Sequence, residues 1–273
     1  MVRNLRFSMC NEAFEKTEFP EVCRTMRAAG FSGIEIAPFT LSESPGELTA
    51  ERRRELTGIM HSEGLEFVGL HWLMVSPPGL HVTTGDAALR ARSWRHIRDL
   101  IDLCADLGPG GVLVFGSPKQ RSTVPGVTRE DATRRYRQGL AEVASQAEQR
   151  GVTILVEALP AGQSDVVNSL AEAVAIVEAI GSPAVQTMFD THNAVDEHDP
   201  HAALVEQYWQ YIQHIHVNET DGRHPGTGDY DFKPLFDVLE ARKYGGWVSL
   251  EAFDFALGGE RIARETMEYL RTI

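Results

Sequence analysis

Four side chains far apart in the sequence offer the donor set of a metal centre: Glu157, Asp190, His216 and Glu251. Each lies in or at the end of a short β-rich run: "TILVEA", "VQTMFDT", "HIHVNE" and "WVSLEAF". The intervals are 33, 26 and 35 residues, each about one strand plus one helix. A carboxylate inside an apolar run is costly to bury unless something compensates its charge. One shared divalent cation would satisfy all three carboxylates and the imidazole together. A hard, oxygen-rich set of this kind suits Mn²⁺, Mg²⁺ or Co²⁺. Zn²⁺ prefers thiolates or more histidines and ranks lower. Coordination positions left open could accept two adjacent substrate oxygens.

The four groups can meet only if the fold brings their strand ends to one mouth. Candidate strands run over 5–10, 33–38, 66–72, 111–116, 153–158, 185–191, 214–219 and 247–253. Between them lie stretches of helical periodicity such as "LRARSWRHIRDLIDLCADLG" and "SLAEAVAIVEAIG". Several stop at a glycine (Gly64, Gly108, Gly151, Gly181), as helix C-termini often do. Eight strands each followed by a helix predict an α/β fold, a (β/α)8 TIM barrel, with residues 1–273 forming a single domain. A doubly wound open sheet is the competitor. The barrel demands functional side chains at the C-terminal ends of several strands, and the quartet meets that demand.

The strand period of two puts His214 and His216 on one face of the seventh strand, and Ser249 and Glu251 on the inward face of the eighth. His214 reads as a core histidine beneath the site. His198 and His224 read as solvent-facing loop residues. Glu35, His71 and Trp72 end the second and third strands and could line a substrate pocket. In "FGSPKQR", Lys119 and Arg121 read as solvated loop cations. Trp209, in "EQYWQYI", reads as the buried or oligomer-facing side of a helix.

The formal net charge is −13, a poor basis for contact with a phosphate backbone. The hydrophobic content of 42% supplies a large core, yet no stretch approaches 18 consecutive apolar residues, so no membrane span is expected. Three widely spaced cysteines and an N-terminal stretch without a signal-type apolar region suit a reduced cytoplasm. In "HIHVNETDGRHPGTGDYDF" the glycines lack phosphate-loop spacing.

With "VEALPAGQSDVVNS", "GSPAVQTMFDTHN", "HIHVNETDGRHPGTGDYDF" and "WVSLEAF" together, the chain resembles the xylose-isomerase-like TIM-barrel superfamily. Within it, the chain is most similar to the sugar isomerase/epimerase branch that includes ketose 3-epimerases. The resemblance runs along most of the chain and is strongest over 153–253. It implies that Glu157, Asp190, His216 and Glu251 bind the metal, and that Glu157 and Glu251 act as acid and base on opposite faces of the substrate. The sequence departs from the epimerase pattern where substrate would bind. That pattern places a histidine three positions after the aspartate, whereas here His192 stands at two and Asn193 at three. Pro160-Ala161 replaces its Asn-Arg, Gln163 stands at a usual glutamate, and Arg223 lies one residue further from His216.

The expected function is therefore a metal-dependent sugar isomerase or epimerase, ketose 3-epimerase-like. It would move a proton beside the carbonyl of a keto-sugar through a metal-stabilised enediolate. The expected cofactor is one divalent cation, Mn²⁺ first. His71, Gln163, His192 and Arg223 are the expected substrate contacts. Barrels of this branch resemble homodimers or homotetramers. The same site could instead expel a leaving group, as a lyase or dehydratase of a 3-keto glycoside or keto-inositol. An apurinic (AP) endonuclease is a distant alternative within the superfamily, disfavoured by the charge and by the lack of further strand-end histidines.

Overall fold

The computed structural model describes residues 5–273, so the first four positions of the expected domain lie outside the described residues. Eight strands form the framework: β1 (Arg6–Cys10), β2 (Gly33–Ile36), β3 (Glu66–Leu70), β4 (Val112–Phe115), β5 (Thr153–Val156), β6 (Val185–Asp190), β7 (Ile212–Val217) and β8 (Trp247–Leu250). They close in sequence order into a barrel, each parallel to its neighbours, and β1 pairs with β8 through Ser8 and Ser249. The expected (β/α)8 barrel is the fold observed. The open sheet is excluded by the β1–β8 pairing.

Helices wrap the outside: α1 (Phe19–Ala29), α2 (Ala50–Ser62), α3 (Ala87–Leu107), α4 (Pro118–Arg121), α5 (Arg129–Arg150), α6 (Leu170–Ile180), α7 (His201–Gln207), α8 (Lys233–Ala241) and α9 (Gly259–Leu270). The sequence starts several of them with a side chain that accepts from free first-turn N–H groups: Thr49, Asp86, Thr128 and Ser169. Gly151 and Gly181 end α5 and α6 in the left-handed conformation, as expected. Gly108 does not. Its φ of 176° is extended, and α3 stops without a left-handed turn. None of these helices is long and apolar enough to cross a membrane.

Alternation along each strand divides the side chains. Ile34, Ile36, Leu113, Phe115, Ile154, Val156, Ile215, Val217, Val248 and Leu250 belong to the large buried cluster shared with the helices. The barrel interior is filled unevenly. Val114, Leu155 and Met188 form a separate small apolar cluster on the β4–β6 side. Across β7, β8, β1 and β2 the interior is polar, with His214, His216, Ser249, Ser8 and Glu35 all at 1% exposure or less. The ladder register carries one belt around the wall: Asp190 pairs with His216, His216 with Ser249, and Ser249 with Ser8. That belt supports the site.

Candidate metal centre

Most strands are shorter than the sequence suggests, and β7 starts and ends two residues earlier; this decides where the four donors stand. β5 stops at Val156 and β8 at Leu250, so Glu157 and Glu251 each follow the last ladder residue. Asp190 closes β6, and His216 is the penultimate residue of β7. One donor atom from each of Glu157, Asp190, His216 and Glu251 lies within 4.8 Å of the other three, and all four residues are buried.

The contacts around the quartet fix each group. His216 Nδ1 lies 2.9 Å from Glu251 Oε2 and 3.5 Å from Asp190 Oδ2. Asp190 Oδ1 accepts from the backbone N–H groups of His192 and Asn193 at 2.7 and 2.9 Å. Its other oxygen, Oδ2, is buried and accepts no hydrogen bond. Asn193 Nδ2 donates to Glu157 Oε1 at 2.9 Å, and Trp72 Nε1 donates to Glu251 Oε1 at 2.7 Å. Glu157 Oε2 sits directly over Gly116, where any Cβ would collide with it.

Electrostatics follow from this packing. Burial, and then the charges of Glu251 and Asp190, push the Glu157 carboxyl up to about 8. Burial acts the same way on Asp190, but the His216 imidazole and the Asn193 N–H outweigh it and hold the group below its usual range. Beneath the quartet, Glu35 is wholly buried, and the His216 and His214 rings overcome its desolvation and hold it well below the ordinary carboxylate value. Three carboxylates converge with one orphaned oxygen, and no lysine or arginine side chain bonds to any of their oxygens among the described residues. Such a donor set fits a hard divalent cation.

The other expectations divide. His214 is the core histidine expected, bonded to Glu35 Oε2 at 2.8 Å. Ser249 points inward as expected and donates to the same oxygen. His71 is fully buried with Nε2 on Glu12 Oε2 at 2.7 Å, so it faces a second acidic residue and not an open pocket. Gln163 contacts Asn193 Oδ1 at 3.3 Å and His192 Nε2 at 3.4 Å, on the rim beside Glu157. His192 Nδ1 bonds to Thr220 O, and its ring packs on Phe253, next to Trp72. Arg223 is half-exposed and paired with Asp221 at 2.7 Å. Lys119 and His198 are exposed, as expected.

Two residues read as solvated are not. His224 is 2% exposed and lies 3.3 Å from Glu265 of α9, because its loop folds back on that helix. Arg121 is wholly buried. Its Nη1 donates to the carbonyls of Phe115 and Glu157 at 3.0 and 2.8 Å, tying the end of β4 to the end of β5. Trp209 sits half-buried in a 3-10 turn after α7, with its ring against Tyr244. Sequence reading missed Glu12 and the donor roles of Asn193 and Trp72. Glu12 follows the end of β1 as Glu157 follows β5, and that position was its signal.

A family model described as a xylose isomerase-like TIM barrel matches residues 23–273. The chain belongs to that family. An L-ribulose 3-epimerase from Mesorhizobium japonicum is 27% identical over 253 residues, covering 92% of this chain and 81% of the relative. A 3-dehydro-D-guloside 4-epimerase from Escherichia coli is 25% identical over 271 residues, covering 96% and 97%. Among solved structures, a D-psicose 3-epimerase determined in the presence of D-fructose superposes with a TM-score of 0.84 at 19% identity, covering 98% of this chain and 99% of that one.

Proposed function

We propose that this barrel is a divalent-metal-dependent epimerase of a keto-sugar, with Glu157 and Glu251 exchanging a proton at the carbon beside the ketone. The observation that carries the reading is the buried convergence of these two glutamates with Asp190 and His216 at one barrel mouth. The named relatives invert a carbon at position 3 or 4 of a sugar, which accords with it.

Glu157, Asp190, His216 and Glu251 would hold the cation, and Asp190 Oδ2 makes no hydrogen bond. When bound, the cation would draw electron density from the ketone and its neighbouring hydroxyl, lowering the cost of forming an enediolate. The chain supplies the proton traffic. Inversion requires that a C–H proton leave one face and return to the other. One glutamate, ionised, takes it, and the second, protonated, delivers its own. The reverse reaction exchanges their roles. Burial pushes the Glu157 carboxyl up to about 8, which lets it carry a proton near neutral pH. Asn193 holds Glu157 through Oε1, and Glu251 is held through Oε1 by Trp72 and through Oε2 by His216. Gln163, His192 and Arg223 are the proposed substrate contacts on the rim, and His71 would act from behind through Glu12.

The test is incubation with free ketoses and 3-keto glycosides in D₂O. Deuterium at the carbon beside the ketone, with the skeleton retained, supports the reading. Glu157→Gln and Glu251→Gln should each abolish the exchange. Release of a leaving group would make the protein a lyase, and failure to bind any divalent ion would refute the centre itself.

A further inference from the structure

Beside the quartet lies a second set of donors that takes no direct part in the proton transfer. Cys10 ends β1, Glu12 follows in the turn Asn11–Phe14, and His71 follows β3. One donor atom from each of the three lies within 4.8 Å of the other two, and all three residues are buried. Two of their atoms, Glu12 Oε1 and His71 Nδ1, make no hydrogen bond at all. His71 Nδ1 faces Glu35 Oε1 at 3.5 Å, whereas Glu12 Oε1 has no such neighbour; a buried carboxylate oxygen left unpaired is costly, and an ion bound by Glu12 removes that cost. Cys10 also groups with Glu35 and His216, with one donor atom from each within 4.8 Å of the others, so this group and the quartet share a wall.

The charge of the interior points the same way. Glu12, Glu35, Glu157, Asp190 and Glu251 are each at most 5% exposed. Against these five carboxylates, the only buried lysine or arginine among the described residues is Arg121. One divalent ion shared by the quartet, together with Arg121, leaves these carboxylates incompletely balanced. Glu12 also lines a cavity of about 630 Å³ whose wall includes the exposed Lys16.

We propose that Cys10, Glu12 and His71 form a second cation site, suited to Zn²⁺ where the quartet suits a harder ion. A thiolate, an imidazole and a single carboxylate make a softer set than three carboxylates and an imidazole. Loading displaces the Cys10 thiol proton to the buffer, and the bond between His71 and Glu12 gives way to two ligands of one ion. The ion sits behind the catalytic pair. It balances Glu12 and Glu35 and fastens the ends of β1 and β3 together.

Stripping the purified protein of metal and titrating it with Co²⁺ tests this independently of catalysis. Two equivalents should bind, and one should bring a thiolate-to-cobalt charge-transfer band in the near ultraviolet. Cys10→Ser should lose that band and one equivalent while keeping the other. Glu12→Gln should likewise lose one equivalent, and Glu157→Gln should keep the band. Circular dichroism of each variant establishes that it is folded. A single equivalent without the band, lost in Glu157→Gln, overturns the second site and leaves the epimerase reading intact. Two equivalents without the band, or a band that survives Cys10→Ser, also overturn it.

Discussion

His216 Nε2 lies 3.1 Å from Glu35 Oε1, so the imidazole is gripped from the barrel floor while Nδ1 faces the other quartet donors. The carboxylate fixes both the tautomer and the tilt of the ring, an arrangement that raises the basicity of a ligating histidine. Glu35 is itself held by His214 and Ser249, each at 2.8 Å from its second oxygen. The polar belt inside β7, β8 and β2 thus holds the His216 ring with Nδ1 toward Glu251 and Asp190.

Glu35→Gln keeps the shape and removes the charge. It should weaken divalent-ion affinity by about 10- to 100-fold, read by competition with a chelator of known affinity. Unchanged affinity would mean that His216 is oriented by other contacts.

Gly116 makes room for the Glu157 carboxylate. Gly116→Ala adds a methyl where Oε2 now lies, and the glutamate must rotate out of the quartet. A displacement of about 1 Å can cost about 100-fold in rate, so kcat should fall at least that far. The melting midpoint should move only a few degrees, because Gly116 has no left-handed φ for alanine to strain. Wild-type turnover would show that Glu157 works from another position.

Much of this was legible in the sequence, and the reasons are physical. The quartet could be read because a charge inside an apolar strand is rare and has one common excuse. Strand alternation put His214 and His216 on one face, and the core role of His214 followed from that. The errors fall where chain direction after the strand decides the outcome. Arg121 sits in a polar loop segment, and nothing local reveals that its guanidinium turns inward to two strand-end carbonyls. His224 looks like any loop histidine until the loop is laid against α9. Glu12 was invisible as a partner of His71 because the two are 59 residues apart and meet only when β1, β2 and β3 lie side by side.

The pH dependence of stability carries a definite sign. Burial, then Glu251 and Asp190, raise the Glu157 carboxyl from 4.5 to about 8, so the folded protein binds a proton there that the unfolded chain releases. His71 is desolvated, but Glu12 and Glu35 outweigh this and raise it to about 9, with the same sign. Stability from such groups is complete below their unfolded values and is lost as pH rises through the folded ones. Chelator-treated protein should therefore melt lower at about pH 9 than at about pH 6. Added Mn²⁺ should raise the midpoint more at the higher pH, because the ion replaces the proton among the carboxylates. Equal shifts at both values would refute the coupling.

Arg121 offers the clearest stability test, since it is wholly buried and its Nη1 serves the carbonyls of both Phe115 and Glu157. Arg121→Met fills much of the volume but leaves both acceptors unpaired and removes the positive charge that offsets Glu157. The loss should be about 3–5 kcal/mol, read as a fall in the urea midpoint at constant slope. Arg121→Lys retains the charge, but a single ammonium cannot reproduce the planar guanidinium, so an intermediate loss is expected. Turnover should fall in both variants, because the backbone that carries Glu157 loses its anchor. A methionine variant within about 1 kcal/mol of wild type would show that the two strand ends hold together without the guanidinium.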